Sequence, residues 1–143
     1  MSIVLKHEIP GDDFSRAGEA SSAVKNKLKQ MGIPPEVIRN VSIAAYEGEI
    51  NAVIHANGGE ITVTVDPDAI VIVISDTGNG IPDIELAMQE GYTTASDNIR
   101  ALGFGAGMGL PNMKKYADEF DIRSEAGKGT VITMKIYMKR PKD

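Results

Sequence analysis

The sequence predicts an α/β sandwich of two layers, with a mixed sheet and about three helices gathered on one face. Two observations support this prediction: β-branched runs lie near both ends and in the middle of the chain, and stretches with apolar residues at helical spacing lie between them. Strands and helices do not alternate one by one, which argues against a doubly wound parallel sheet. At 143 residues the chain fits a single domain, residues 1–143.

The first part of the chain predicts one strand and two helices. Residues 2–9 alternate and are partly β-branched, and a Pro-Gly pair follows them. Helical spacing then predicts a helix from about residue 13 to residue 31, closed by Gly32. A second helix is predicted over residues 35–56, because prolines suited to a first helical turn open it and the letters NGG end it.

A hairpin and a long glycine-rich segment come next. Two β-branched runs are joined by a tight turn with the letters DPD, and the second run, residues 70–74, is apolar throughout, which favours a central, buried strand. The glycine-rich segment is long for a loop in a compact domain, and such loops tend to be functional lids or disordered. The remaining predicted elements are a short helical stretch at 84–89, the irregular segment at 90–109, a third helix at 110–119 and strands at 120–125 and 129–138.

Composition and charge exclude several functions. The chain is 42% hydrophobic and 24% charged and has no apolar run long enough to span a bilayer, as in an ordinary globular protein without a membrane segment. The formal net charge of -5 argues against non-specific binding to nucleic acid or anionic lipid. Cysteine is absent, which excludes disulfides and thiolate metal sites, and the first residues lack the apolar stretch of a secretory signal, so we expect a cytoplasmic protein.

Glu47 and Asn51 stand four residues apart on the second predicted helix and therefore share one face. The residues around them on a helical wheel are apolar or small: Ile43, Ala44, Gly48, Ile50 and Ile54. Two interpretations are open. In the structural one, the two residues lie on the surface or bond to each other. In the functional one, the Asn51 amide binds Mg²⁺ and the Glu47 carboxylate beside it acts as a base. His55 is more typical of packing or capping. Gly48 costs about 1 kcal/mol relative to Ala in a helix unless close packing needs it.

The letters SDTGNGIPD put Asp76 at the end of the predicted central strand, with Gly78 and Gly80 just beyond. The pattern is typical of a turn stabilised by an Asp side chain, with glycines that supply a positive φ. It is equally typical of a site for a purine base. In that case the carboxylate accepts a hydrogen bond from an exocyclic amino group, as adenine offers, and the glycines let the flat base approach the backbone.

Four glycines precede the third predicted helix, whose first turn contains Pro111: Gly103, Gly105, Gly107 and Gly109. The pattern fits a flexible linker, or a turn whose free backbone N–H groups bind phosphate at a helix N-terminus. It is not a Walker loop, because no Gly-Lys-Ser/Thr follows. Lys114 and Lys115 are more typical of helix-surface charges than of phosphate ligands, and Thr130 alone indicates a strand that follows a hairpin turn.

Four motifs, taken in order, resemble the N, G1 and G2 boxes and the closing threonine of the Bergerat-type ATP-binding fold. They are Glu47 with Asn51, then DTGNG, GFGAGMGL and GKGT. Histidine kinases, gyrase, Hsp90 and MutL share that fold. The chain length and the letters IELAMQEGYTTA and GLPNMKKYADEFDIRSEAGKGT resemble the anti-sigma-factor serine kinases of the RsbT/RsbW type, in particular the stress-signalling switch kinases. The resemblance covers nearly the whole chain.

The resemblance implies a serine/threonine protein kinase that uses ATP and Mg²⁺. It implies that Asn51 binds Mg²⁺, that Asp76 contacts adenine and that Glu47 accepts the proton of a substrate seryl hydroxyl. Arg100, in a lid at about 89–109, is a γ-phosphate contact or a surface charge. The other nucleotide contacts that the resemblance implies are Gly78, Gly80, Ile81, Gly103, Gly105, Gly107, Met108, Gly109, Leu110 and Thr130.

The implied substrate is a Ser or Thr on a STAS-domain regulatory protein of the anti-sigma-factor antagonist type. A sigma factor, a downstream phosphatase or regulator, and a second copy of the chain are further implied partners. Three alternatives stay open: a non-catalytic ATP-binding switch, an anti-sigma factor that sequesters its partner, and a histidine-kinase module. The last is disfavoured because no pair of dimerisation helices with a phosphoacceptor His precedes the motifs.

Overall fold

A computed structural model of the chain describes most of the predicted elements. The described residues are 2–11, 16–56, 58–76, 78, 109–125 and 127–138, with the backbone alone at 54–56 and 109. Within these ranges, helices pack on one face of a five-stranded sheet, so the predicted two-layer α/β sandwich is confirmed. The short helical stretch predicted at 84–89 lies outside the described residues.

Three helices occur in the described part of the chain. They are α1 (Glu19–Gln30), α2 (Pro35–Ala56) and α3 (Gly109–Tyr116). Helix α2 has the predicted bounds. Helix α1 begins later than the predicted residue 13, because Gly18 has a left-handed φ of 96° and breaks the helical backbone. Helix α3 is shorter than predicted, because Glu119 already pairs with the last strand of the sheet.

The sheet is antiparallel where a mixed sheet was predicted. Its strands are β1 (Ile3–Ile9), β2 (Gly59–Val65), β3 (Ala69–Asp76), β4 (Glu119–Glu125) and β5 (Gly129–Tyr137). They lie in the order β1-β2-β3-β5-β4, and each neighbouring pair is antiparallel. Strand β4, the next described strand after β3, runs parallel to β3, but it lies at the edge of the sheet. Strand β5 then lies between β3 and β4, so no parallel neighbours result.

Strand β3 is the central strand, as predicted, and its buried side chains belong to the hydrophobic core. Ile70, Ile72 and Ile74 are buried, whereas Val71 and Val73 between them are half-buried. The alternation arises because successive side chains of a strand point to opposite faces, and the helices cover only one face of this sheet. Asp76 continues the Ile72–Ile74 row and therefore lies on the side that faces the helices.

Helix α2 lies in close contact with β3 at Gly48, and this contact explains a glycine in the middle of a long helix. A Cβ added at Gly48 would collide with the Cδ1 atom of Ile74 and lie 3.5 Å from the Sδ atom of Met113 on α3. Ile74 and Met113 are fully or almost fully buried, so neither side chain can swing into solvent to make room. Gly48 thus joins α2, β3 and α3 at one point.

Replacement of Gly48 by Ala is expected to lower the free energy of unfolding by about 1–3 kcal/mol, because it overpacks this contact. Helix propensity alone predicts the opposite sign, a gain of about 1 kcal/mol. Urea denaturation monitored by circular dichroism measures the difference.

The matched control is the double variant Gly48→Ala with Ile74→Val. Ile74→Val removes the Cδ1 atom with which the new methyl group collides. The double variant should therefore be more stable than the sum of the two single effects predicts. A Gly48→Ala variant as stable as the wild type, or strict additivity in the double variant, would contradict the proposed close packing.

Candidate functional site

Asp76 and Thr130 meet at one end of the sheet, although 54 residues separate them along the chain. They are paired residues of the neighbouring strands β3 and β5. The Oδ1 atom of Asp76 accepts hydrogen bonds from the backbone N–H of Gly78 at 3.0 Å and from that of Thr130 at 3.2 Å. The Thr130 hydroxyl lies 2.9 Å from the Ser124 hydroxyl. Two of the sequence motifs therefore form one local structure.

The two interpretations of Asp76 prove compatible, because its two carboxylate oxygens differ. The bond from Gly78 is the turn-stabilising interaction, and it uses only Oδ1. The other oxygen, Oδ2, accepts no hydrogen bond from the residues that the structure describes. A half-buried carboxylate oxygen on the helix-facing side of the sheet is a suitable acceptor for the amino group of a bound base.

Glu47 lies on α2 next to the Gly48 contact, and its carboxylate reaches α3. Its Oε1 atom accepts a hydrogen bond from the Nδ2 atom of Asn112 at 3.3 Å. Burial raises the pKa of the Glu47 carboxyl, and the bond from Asn112 lowers it by a smaller amount. The net shift is upward, so Glu47 is a better proton acceptor than an exposed glutamate.

Asn51 lies one helical turn beyond Glu47 and is half-buried. The sequence left open that Glu47 and Asn51 satisfy each other, but Glu47 bonds to Asn112 instead. Within the described ranges the Asn51 amide has no hydrogen-bond partner of its own. An amide oxygen is a ligand type that Mg²⁺ accepts.

A second glutamate of α2, Glu49, has a structural role that the sequence analysis did not predict. It is 0% exposed, and its carboxylate accepts hydrogen bonds from the backbone N–H groups of Gly18 at 3.0 Å, Ala20 at 3.2 Å and Ser21 at 2.9 Å. Helix α1 has no capping side chain of its own at Gly18. Glu49 thus caps α1 from another helix and places a negative charge at its N-terminus. No local sequence pattern indicates this contact, because Glu49 lies 28 to 31 positions from the residues that it caps.

Several predicted nucleotide contacts lie outside the described residues. Of the lid at 89–109, only the backbone of Gly109 is described, as the first residue of α3. Leu110 is buried in the core, and Lys114 and Lys115 are exposed on α3, as expected for surface charges. The predicted site residues that are not described are Gly80, Ile81, Arg100, Gly103, Gly105, Gly107 and Met108, and the side chain of His55 is likewise not described.

The fold and the motifs define the class of this protein. Residues 12–136 match the family described as the histidine kinase-like ATPase domain, and the chain belongs to that family. The family description implies that the chain binds ATP. Among the described residues, no helix is both long enough and apolar enough to cross a bilayer.

Within the family, the chain is similar to bacterial anti-sigma factors and to a kinase. It is 34% identical over 145 residues to an anti-sigma F factor of Caldanaerobacter subterraneus subsp. tengcongensis, which covers 98% of this chain and 94% of the relative. It is 37% identical over 129 residues to that of Clostridium acetobutylicum, with 87% and 83% coverage. It is 32% identical over 112 residues to the serine/threonine-protein kinase RsbT of Bacillus subtilis, with 76% and 78% coverage. The resemblance stated from the motifs is confirmed at the level of this family.

Glu49→Gln is expected to lower the free energy of unfolding by about 1–3 kcal/mol, because an amide NH₂ group then faces backbone N–H donors in a buried place. The matched control is Glu19→Gln, at the same helix end. Glu19 is exposed and forms an ion pair with Arg16, so its replacement should cost less than about 1 kcal/mol. Urea denaturation of both variants tests the difference, and equal stability of the two would contradict the capping role of Glu49.

Proposed function

We propose that this protein is an ATP:protein phosphotransferase that uses Mg²⁺ and phosphorylates a Ser or Thr of a STAS-domain regulatory partner. The observation that carries the proposal is the Glu47 carboxylate. It is half-buried, has a raised pKa and lies on the helix that also presents Asn51. The similarity to a protein named a serine/threonine-protein kinase supports the same reaction.

The described residues fit a bound Mg²⁺–ATP complex. The Oδ2 atom of Asp76 would accept a hydrogen bond from the adenine amino group, and the amide oxygen of Asn51 would bind Mg²⁺. One protein ligand is sufficient, because Mg²⁺ in nucleotide sites takes most of its ligands from phosphates and water. When bound, Mg²⁺–ATP supplies the γ-phosphoryl group and the positive charge that stabilises its transfer.

Glu47 acts as the general base in this proposal. Its carboxylate accepts the proton that the seryl hydroxyl loses as the seryl oxygen bonds to the γ-phosphorus. The bond between that phosphorus and the β–γ bridging oxygen breaks, and ADP leaves. Burial of Glu47 favours this role, because it raises the pKa of the carboxyl and makes the carboxylate more basic.

A second function is favoured by the names of other relatives. Proteins named anti-sigma F factor match the chain at 34% and 37% identity. The alternative is therefore that the chain sequesters a sigma factor, with the nucleotide acting only to order the partner-binding surface. This function needs Asp76 and Asn51 for the nucleotide but does not need a base at Glu47.

Glu47→Gln is expected to reduce phosphoryl transfer by a factor of about 100 to 10,000, the usual contribution of a positioned base. The assay incubates the chain with γ-labelled ATP, Mg²⁺ and each purified STAS-domain protein of the same genome. Calorimetric ADP binding in the presence of Mg²⁺ should be unchanged, because the variant keeps the size of the side chain and one oxygen that can accept the hydrogen bond from Asn112. Asn51→Ala is the contrasting variant, in which nucleotide binding itself is weakened.

Three results would count against the proposal in different ways. No affinity for ATP or ADP with Mg²⁺ present would overturn the nucleotide site. Nucleotide binding without transfer to any STAS-domain protein, together with capture of a sigma factor, would favour sequestration. Transfer that persists in Glu47→Gln would keep the kinase but remove Glu47 as its base.

The rate of transfer should fall as the pH decreases through the raised pKa of Glu47, because only the ionised carboxylate accepts the seryl proton. The acid limb of the single-turnover rate should therefore lie above the ordinary range of a glutamate. The same shift means that the folded protein binds this proton more tightly than the unfolded chain does, so the contribution of Glu47 to stability decreases as the pH rises. A rate independent of pH down to the ordinary range would contradict the assignment.

A further inference from the structure

The hydrogen bond between Asn112 and Glu47 connects two helices that are distant in the sequence. The donor Nδ2 and the acceptor Oε1 are 3.3 Å apart, and the two residues are 65 positions apart in the chain. Both side chains are half-buried, so the bond is partly shielded from competing water. Among the described residues, Asn112 is the one that donates a hydrogen bond to the Glu47 carboxylate.

We infer that Asn112 is a positioning residue, which holds the Glu47 carboxylate in place and links it to the start of helix α3. The inference rests on the proposed function, because it assigns Glu47 as the base. Asn112 lies in the first turn of α3, three residues after Gly109, the last glycine of the segment that the sequence predicts to bind phosphates. A change in the position of the start of α3 would therefore move the Glu47 carboxylate through the Asn112 side chain.

The chemistry of an amide donor suits this role. An amide NH₂ group donates to the carboxylate without a charge of its own, so it fixes one oxygen and leaves the second free to accept a proton. A lysine at this place would form an ion pair, which favours the ionised form more strongly and weakens the base. At 3.3 Å the bond is long, and it lowers the pKa of the Glu47 carboxyl by less than burial raises it.

The packing that supports Asn112 is already present. Met113, the next residue, is fully buried and lies against Gly48, which follows Glu47 in α2. The backbones of the two helices are thus held together at the residues adjacent to the hydrogen-bonded pair. The packing of α2 against α3 does not depend on Asn112 and Glu47, so their hydrogen bond can act to orient the Glu47 carboxylate.

Among the described residues, the charged and titratable groups close to Glu47 on α2 and α3 are not causes of its raised pKa. On its own helix these are Tyr46, whose pKa is raised by burial and by the charges of Glu47 and Glu49, and Glu49 itself. On α3 they are Lys114 and Lys115, both exposed. Burial is the first influence on the Glu47 pKa and the Asn112 bond is the second. Removal of Asn112 is therefore the change to which Glu47 should respond.

The test compares Asn112→Ala and Asn112→Asp with the wild type and with Lys114→Ala as the matched control on the same helix. The single-turnover rate of transfer to a STAS-domain protein that the wild type phosphorylates is measured against pH at saturating ATP. We expect Asn112→Ala to lower the rate by about tenfold, part of the 100- to 10,000-fold contribution of a positioned base, with little change in ADP affinity. Lys114→Ala should behave as the wild type.

The order of the pH profiles distinguishes positioning from a merely structural role. The acid limb should move to higher pH in Asn112→Ala, because the bond that lowers the Glu47 pKa is lost, and further in Asn112→Asp, because a second carboxylate opposes ionisation. Asp is well tolerated in the first turn of a helix, so this variant should fold. A loss of packing alone predicts no such order. Coincident profiles for the wild type and both Asn112 variants would overturn the inference.

A titration of the Glu47 carboxyl carbon by NMR, assigned with Glu47→Gln, keeps the test independent of turnover. If the three titrations follow the expected order and the wild type transfers phosphate, the inference stands. If the order holds but no STAS-domain protein is phosphorylated, the proposed function fails, and with it the role of Asn112 as a positioning residue. If the titrations coincide while the wild type is active, the inference about Asn112 alone is wrong.

Discussion

The close approach of α2 to β3 at Gly48 is the constraint on which the site depends. Only a residue without a side chain fits between the helix backbone and Ile74, and Ile74 precedes Asp76 by two residues on the same face of the strand. Glu47 and Asn51 lie on either side of Gly48 along α2. A helix held further from the sheet would move Glu47 and Asn51 away from strand β3, which ends at Asp76. The buried apolar contact therefore determines the spacing of the polar site.

Two of the glutamates of α2, Glu47 and Glu49, lie in different environments, and the proposed function gives them different roles. Glu49 is fully buried, and its carboxylate is committed to three backbone N–H groups of another helix. Glu47 is half-buried and receives one long bond from an uncharged amide. Three donors hold the Glu49 carboxylate in one place through both of its oxygens, whereas the single donor to Glu47 engages only Oε1. Environment rather than residue type assigns the roles.

Local patterns predicted the parts of the structure that local physics determines. The bounds of α2, the β2–β3 hairpin and the placement of Asp76 at a strand end follow from periodicity and turn residues. The capping of α1 by Glu49 and the bond from Asn112 to Glu47 join residues 28 to 65 positions apart, and no short pattern encodes such contacts. The prediction of a mixed sheet was wrong for the same reason. Strand β5, the last described strand, lies between β3 and β4, and no local pattern indicates this insertion.

The relatives carry the names of an anti-sigma factor and of a kinase, and the site indicates which residues separate those functions. In both proposed functions Asp76 and Asn51 hold the nucleotide, so these two residues do not distinguish them. Sequestration of a partner requires neither an ionised carboxylate at Glu47 nor a fixed orientation for it. Transfer requires both, because the proton must leave the seryl oxygen as the new bond forms. Glu47 is half-buried, its pKa is raised and it accepts a hydrogen bond from α3, and these are the properties that the proposed kinase needs and sequestration does not.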